Sequence, residues 1–538
     1  MEAATAAGVG SWLRGIGLPQ LVETFEQAKY DDLEIVKELK SEDLLELGIT
    51  EAGVRKKLLV HASRLGSGGG EQTPYSPKAS YVQWLPQAWH SDIKIMNDGL
   101  HGHMHMPTYC VEFIDTPQFQ RLRDLKQLGT SYYVFPGASH NRFEHCLGTS
   151  HLAGQLVERF AKLQPELDIT ERDIRVVRLA GLCHDLGHGA FSHAFEDWVR
   201  ARTGNAAWTH EDMSQRMVEY LIDDNHLDYS RRDVQFLLSL ISGERPGSSA
   251  EKGFLYEIVS NKRNSIDVDK FDYIARDSKH VGMQSGFDHE RLISLSRVIN
   301  DEICFYEKAD FQVYELFRTR YSLFKQVYSH RVSKGIEYMV GDAMTLADDY
   351  LGISQSVSDI RQYSLLTDSI LRTIQCSTAP ELAEARDIVR MIGRRDVYKC
   401  VYPSDIITCQ PSGDHDLQES DIIVHNFKIN YAMADKNPVD HVHFFAKAEP
   451  EVSFTIPREQ VSMLLPEVFS EQYVRVYCRR KEKAHQAHLA FQSYLRQFGC
   501  SVALRSPFRA TKPTSTSPRS SADSNKSSAR NLFGVHDQ

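Results

Sequence analysis

With 538 residues, 41% of them hydrophobic and 25% charged, the chain has an ordinary globular composition and room for more than one domain. A net charge of −10 excludes a constitutive nucleic-acid coat, so any anionic ligand must be met by local basic clusters. No apolar run approaches the roughly 18 residues of a membrane span, the N-terminus MEAATAAGVG lacks a signal-peptide pattern, and nine dispersed cysteines suit free thiols, which together point to the cytosol or nucleus.

Residues 8–65 read as short helical segments between glycines and polar caps. Trp12, Leu13, Leu18, Leu21, Val22 and Phe25 supply an early apolar set. Ser41 can cap LLELG, with Glu42 and Asp43 favourable in its first turn, and Thr50 precedes a longer closing helix, EAGVRKKLLVHASRL. Five short helices with an LGI turn before a basic helix resemble a SAM domain, which implies a module that binds protein or single-stranded nucleic acid. A flexible linker is expected over 66–90 from GSGGGEQTPYSPKAS. The large domain, 91–505, alternates amphipathic stretches such as HLAGQLVERFAKL and SQRMVEYLID with short loops, so it should be mainly α. Strand-like alternation in DIIVHNFKINYAM and HVHFFAKA predicts a small α+β lobe near its C-terminus. The Ser/Pro-rich, basic segment 506–538 has the composition of a disordered tail open to protein partners.

Chemistry concentrates in GLCHDLGHGAFSHAFE, where His184, Asp185, His188 and His193 crowd one stretch. The preceding RDIRVVRLAGLC suits a largely buried helix that ends near Gly187 and Gly189. An adjacent His-Asp pair at such a helix end offers a neutral imidazole and a hard anionic oxygen, a mixture suited to Fe, Mn, Zn or Mg. SHNRFEHCLG puts Arg142 and His145 at the start of another helix. IDVDKFDYIARD packs Asp267, Asp269, Asp272 and Asp277 with Lys270, Tyr273 and Arg276 among apolar residues, so some of these charges must lie near a buried surface.

The series His145, His184–Asp185, Asp269 resembles the HD-domain metal phosphohydrolases. With YYVFPGASHNRFEHCLG, AGLCHDLGHGAFSH, WTHE, FLYEIVSNKRNSIDVDKFDYIARD, KNPVDHV and the SAM-like start, the chain resembles the SAM-and-HD-domain deoxynucleoside triphosphate triphosphohydrolases. That resemblance implies hydrolysis of a dNTP to deoxynucleoside and inorganic triphosphate, control of dNTP pools and restriction of viral DNA synthesis. It implies a divalent transition metal (Fe, Zn or Mn) on His145, His184, Asp185 and Asp269, with Mg2+ accompanying the nucleotide. His210 and His193 are candidate general acids, His188 a further catalytic imidazole, and Glu196 an orienting carboxylate. Gln127, Leu128, Arg142, His188, His193, Lys270, Tyr273, Asp277, Arg320 and Tyr328 would bind substrate, with Leu128 and Tyr328 crowding the 2′ position.

The family is also implied to be activated by GTP or dGTP and a dNTP through homotetramer assembly. Lys94, Asp115, Gln120 and Arg123 match a guanine-nucleotide site, Asp115 being able to accept two hydrogen bonds from guanine. Asn97, Asp288, Arg291, Lys308, Arg395, Lys399 and Lys447 match an adjoining dNTP site, and Ile95, Arg121, His330, Arg331 and Val332 are further residues implied for these regulatory nucleotide sites. This chain departs from the family at Tyr306 (Arg), Gln312 (Asn), Ser329 (Gln) and Glu196 (Asp). The alternatives are an HD phosphodiesterase or nuclease acting on other nucleotides, and a nucleic-acid-binding SAM scaffold without catalysis.

Overall fold

The protein is described here from a computed structural model that covers parts of 9–62 and then 93–497, apart from 248, 406–416 and 462–465. The chain divides into two compact units, Met1–Gln87 and Ala88–Gln538. In the first, helices α1 (Val9–Gly15) and α2 (Val22–Gln27) contribute Leu13 and Phe25, and the segment between them Leu18, to a small core with Val36, Leu44 and Leu58. Trp12, Leu21 and Val22 pack on that core from its edge, so the early apolar set expected from sequence forms one cluster. The caps assigned to Ser41 and Thr50, the linker 66–90 and the tail 506–538 lie outside the described residues.

The larger unit opens with an antiparallel hairpin, β1 (Ile93–Asp98) and β2 (Gly102–Pro107), followed by α3 (Thr108–Ile114). Then come the helices that carry the site: α4 (Arg142–Leu163), α5 (Glu171–Cys183), α6 (His193–Thr203), α7 (His210–Asp224), α8 (Arg231–Ser242) and α9 (Val268–Val281). Five of these six starts are capped by a local side chain. Asn141 and Glu144 form a capping box on α4, Thr170 and Asp173 do so on α5, and Thr209, Ser230 and Asp267 cap α7, α8 and α9. Phe113, Phe119, Val177, Phe195, Met217, Phe271 and Phe317 belong to one continuous core, each large side chain contributing about 2–3 kcal/mol. α4 is buried nearly all round from Phe143 to Val157, as a central helix should be.

Helices α10 (Asp310–Leu323), α11 (Arg331–Leu351) and α12 (Ala383–Gly393) complete the helical body. Two small sheets accompany it. One has the order β3 (Ser296–Ile299), β4 (Glu302–Tyr306), β7 (Phe444–Phe445), β8 (Ser453–Phe454); the other has β5 (Lys399–Asp405), β9 (Ser470–Cys478), β6 (Ile422–Asn430). The strand expected in DIIVHNFKINYAM is β6, whereas HVHFFAKA provides only the two residues of β7. Among the described residues, no helix is long and apolar enough to cross a membrane.

Candidate metal centre

Helices α4, α5 and α9 bring the four expected ligands together. The first turns of α4 carry Arg142 and His145 into the interior, where both are buried. His184 caps the C-terminus of α5, and its Nδ1 lies 2.9 Å from the Gly181 carbonyl. A carbonyl only accepts, so Nδ1 donates and the Nε2 lone pair is free. His145 presents Nδ1 to Asp272 Oδ2 at 2.7 Å and likewise turns Nε2 inward. Asp269 arrives in the first turn of α9. Its Oδ1 is 3.1 Å from His145 Nε2 and 3.3 Å from His184 Nε2, while the two nitrogens are 3.2 Å apart. Asp185 closes the set, with Oδ2 and Oδ1 each 3.5 Å from those respective nitrogens.

Two imidazole lone pairs and two carboxylates aimed at one point are the donor set of a borderline divalent cation. The electrostatics agree. Burial disfavours imidazolium, yet the carboxylates of Asp269 and Asp272 push His145 up to about 10, and Asp185 and Asp269 raise His184. Burial would raise Asp185, but Arg142, His184 and His188 hold it well below the carboxylate range. The carboxylates therefore create a negative potential at the ligand point, which a metal cation satisfies in place of a proton on either Nε2. The residues present fit a metal.

Asp272 is the partner that sequence reasoning did not assign. Its Oδ1 faces His101 Nε2 at 2.6 Å, and Arg276, one turn further along α9, donates to it at 2.8 and 2.9 Å. A carboxylate behind a metal-facing histidine fixes its tautomer and ring plane. Gly148 makes this pair possible: a Cβ there would sit 1.9 Å from Asp272 Oδ1 and 2.6 Å from the Arg276 guanidinium. The signal was present in the spacing, since Asp269, Asp272 and Arg276 fall at i, i+3 and i+7 on one helix.

A second cluster adjoins the first. His188 Nε2 is 3.4 Å from Asp185 Oδ1, and its ring stacks on His210 with centroids 3.9 Å apart. Burial, then Arg142 and His210, hold His188 well below its ordinary value, so it is neutral near pH 7. His193 is largely exposed and completes a three-histidine group whose ligand atoms lie within 4.8 Å of one another. Glu196 Oε2 is 2.6 Å from His210 Nδ1, so the longer side chain at this position reaches the imidazole. Burial opposes its ionisation, but His193 and His210 hold Glu196 well below the usual range. Gly187 permits the close seat of this loop on α7, where a Cβ would lie 2.2 Å from the His210 carbonyl. Phe191 and Ser192 just before α6 both have left-handed backbone, with φ of 60 and 61°. Such residues cost about 1–3 kcal/mol each and persist where surroundings over-determine them. Ser192 Oγ is held between Arg142 Nε, which donates to it at 2.9 Å, and the Lys126 carbonyl at 2.8 Å.

Several of the expected substrate residues carry unfilled polar capacity. Gln127 Oε1, His188 Nδ1 and Arg320 Nε are buried without a hydrogen-bond partner. Lys270 is paired with Asp267 at 3.0 Å, and Arg320 otherwise donates to the Asn430 carbonyl at 3.0 Å. The ring of Tyr273 lies 6.5 Å from that of His145. Asp277 holds both His140, at 2.7 Å, and the Tyr328 hydroxyl, at 2.5 Å. Tyr328 ends a π-helical turn, Phe324–Tyr328, a distortion that often marks functional sites. Leu128 packs against the main core.

Residues 142–277 match the HD domain, a span that opens at Arg142 and contains all four ligands, and residues 1–65 match the SAM domain (sterile alpha motif). The chain is 49% identical over 422 residues to the deoxynucleoside triphosphate triphosphohydrolase SAMHD1 homolog of Dictyostelium discoideum, covering 76% of this chain and 82% of the relative. It is 41% identical over 491 residues to deoxynucleoside triphosphate triphosphohydrolase SAMHD1 of Homo sapiens, covering 81% and 75%. The chain belongs to this dNTP triphosphohydrolase family. A putative HD domain-containing protein of Acanthamoeba polyphaga mimivirus is 30% identical over 72% of the chain and 92% of its own length.

The enzyme has a further cavity of about 420 Å³ beside β1, whose lining includes Lys94, Asn97, Asp98, Asp115, Gln120 and Arg123. Arg123 donates to Gln120 Oε1 at 2.7 Å and lies over the Phe143 ring at 3.5 Å. Lys94 Nζ is 3.6 Å from Asp115 Oδ1. Two further residues implied for the regulatory sites lie outside this cavity. Ile95 is 61% exposed and does not line the cavity. Arg121 is buried, its guanidinium donating to the carbonyls of Leu366, Leu186 and His188 at 3.0, 3.2 and 2.8 Å. It therefore braces the loop that carries Leu186 and His188.

The other expected regulatory residues sit on separate elements. Asp288 caps the short helix His289–Ser294, which contains Arg291. His330 caps α11, whose first residues are Arg331 and Val332. Lys308 lies 5.9 Å over the Tyr306 ring, Arg395 donates to the Tyr133 carbonyl at 2.8 Å, and Lys399 begins β5. Lys447 follows β7, and Gln312 Oε1 accepts the Asp288 backbone N–H at 3.0 Å.

Proposed function

We propose that this enzyme hydrolyses deoxynucleoside triphosphates at the α-phosphorus, releasing the deoxynucleoside and inorganic triphosphate. The observation that supports the reading best is that Asp185 touches both the metal-ligand set and His188, which stacks on the Glu196-held His210. A cation on His145, His184, Asp185 and Asp269 (Fe, Zn or Mn) would lower the pKa of a water and draw charge from a phosphate oxygen. Arg142, Lys270, Tyr273 and Arg320 would neutralise the rest of the triphosphate. His210, kept in one orientation by Glu196, would give its Nε2 proton to the departing 5′ oxygen, with exposed His193 at the mouth of the same group. Gln127 and Asp277 would bind the 3′ hydroxyl, while Tyr328 and Leu128 would crowd a 2′ hydroxyl. Mg2+ would travel with the nucleotide.

The cavity beside β1 suits guanine and phosphate. Asp115 can accept from guanine N1–H and the exocyclic amine, Arg123 is a flat cation already lying over an aromatic ring, and Lys94 supplies charge. The reading extends to GTP, or dGTP, and a dNTP acting as activators by favouring a homotetramer, and to work on cellular dNTP pools. Product analysis of dGTP hydrolysis with and without GTP tests both levels. Deoxyguanosine plus triphosphate, formed faster with GTP, is expected; nucleoside monophosphate would point instead to a pyrophosphohydrolase or phosphodiesterase.

A further inference from the structure

The cavity beside β1 and the metal centre are joined by an unbroken chain of buried charged groups. Asp98 ends β1, whose Lys94, Met96 and Asn97 line the cavity, and Asp98 lines it too. Its Oδ2 receives Arg276 NH1 at 2.9 Å. Arg276 Nε donates to Asp272 Oδ2 at 2.8 Å, and that same oxygen lies 2.7 Å from His145 Nδ1. The opposite ring nitrogen of His145 faces the metal position. A second strand of contacts runs alongside. Asp98 Oδ1 accepts the His101 N–H at 2.9 Å, and His101 Nε2 lies 2.6 Å from Asp272 Oδ1.

This chain is dry. The side chains of Asp98, Arg276, Asp272 and His145 are 6, 2, 0 and 1% exposed, so water does little to screen them. Arg276 is shared between two carboxylates, and Asp272 between two imidazoles and a guanidinium. A shift of β1 by a fraction of an ångström must therefore be answered at Asp272, which sets the plane of the His145 ring. The cavity's other wall reinforces the link, because Asn141, Phe143, Glu144 and Leu147 of the α4 entry also line it, and His145 lies among them.

We infer that Asp98, Arg276 and Asp272 are positioning residues that couple occupancy of the cavity beside β1 to the metal ligand His145, so that GTP and the metal each tighten binding of the other. The inference rests on reading the cavity as a GTP site. Reciprocity is required by linkage, and couplings between sites are commonly on the order of 5- to 150-fold.

The test uses full-length protein stripped of metal and titrated with Co2+, with and without GTP. Co2+ affinity and its visible spectrum report the ligand field directly, and calorimetry on the same samples reports GTP uptake. In the parent, GTP should tighten Co2+ binding by about 5-fold or more. Asp98→Asn keeps the turn's acceptor but removes the charge that holds Arg276. It should weaken Co2+ binding about 10-fold without nucleotide, shift the spectrum and erase most of the GTP effect while GTP still binds. Arg276→Lys should lie between the two, and His101→Gln should weaken Co2+ binding less, serving also if Asp98→Asn does not fold. Parental Co2+ affinity and spectrum in Asp98→Asn and His101→Gln would overturn the positioning role. Bound GTP with unchanged Co2+ affinity in the parent would overturn the coupling. Absence of GTP uptake would instead overturn the regulatory reading and the coupling with it, and the nucleotide-free arm would still decide the positioning role.

Discussion

At the metal centre, His145 and Asp272 are 1 and 0% exposed, and every ring nitrogen that faces away from the ligand point is spoken for. In the cavity beside β1, Lys94 and Asp115 approach only to 3.6 Å and are 51 and 58% exposed. Both regions are rich in charge, yet they are held differently. The first is pre-organised by buried partners, so its geometry exists before any ligand arrives. The second is an open pair of a kind worth about 0–1 kcal/mol, readily exchanged for contacts to a ligand. In the proposed reading, chemistry that tolerates little misplacement would use the rigid region, and recognition that must respond to concentration would use the open one.

The largest effect is expected from His184→Ala combined with Asp185→Ala. Half of the donor set goes, so metal analysis should find the site empty and turnover should fall by at least about 1,000-fold. Circular dichroism should still report a folded helical protein, because the other helices keep their core. Retained metal would break the assignment.

Next comes Gly148→Ala. A methyl group 1.9 Å from Asp272 Oδ1 must displace the Asp272–Arg276 pair, which cannot move without uncovering buried charge. Thermal or urea unfolding should show a loss of about 2–4 kcal/mol, together with weaker metal binding. An alanine tolerated with parental stability and metal affinity would show that the centre is less rigid than its packing indicates.

Glu196→Ala should lower kcat by about 100-fold through loss of the His210 tether, with little change in metal content. Glu196→Asp should recover part of that loss. A kcat unaffected by Glu196→Ala would remove His210 from the role of oriented acid.

The smallest effect on stability belongs to the open region. Asp115→Ala should change unfolding free energy by less than about 1 kcal/mol and leave metal content intact, yet abolish any stimulation by GTP. Stimulation that survives this change would separate the cavity from guanine recognition.

These two regions also differ in how far the sequence alone revealed them. The metal ligands could be read because His184–Asp185, His145 and Asp269 are carried at the ends of strongly patterned, well-capped helices. Their supporting residues were harder. The apolar residues interleaved with IDVDKFDYIARD place some of its charges near a buried surface without saying which, and the packing of α9 on α4 at Gly148 is what sets Asp272 and Arg276 inside. Arg121 stands between Gln120 and Arg123, two residues of the cavity, but the turn at Arg121–Asp124 points it to the opposite side. One-residue alternations of that kind are decided by backbone geometry that periodicity does not resolve. The β3–β4 hairpin was likewise passed over, although Asn300 and Asp301, both with left-handed backbone, form its two-residue turn. HVHFFAKA has the alternation of a strand, but its pairing partners on β4 and β8 extend over only two residues.

The most direct test of the account is hydrolysis of dGTP in 18O-enriched water by the metal-loaded enzyme, with mass analysis of both products. Attack at the α-phosphorus, with His210 protonating the departing 5′ oxygen, places the label in inorganic triphosphate and leaves deoxyguanosine unlabelled. Label in deoxyguanosine, or in a nucleoside monophosphate or orthophosphate, would contradict the geometry assigned to this centre.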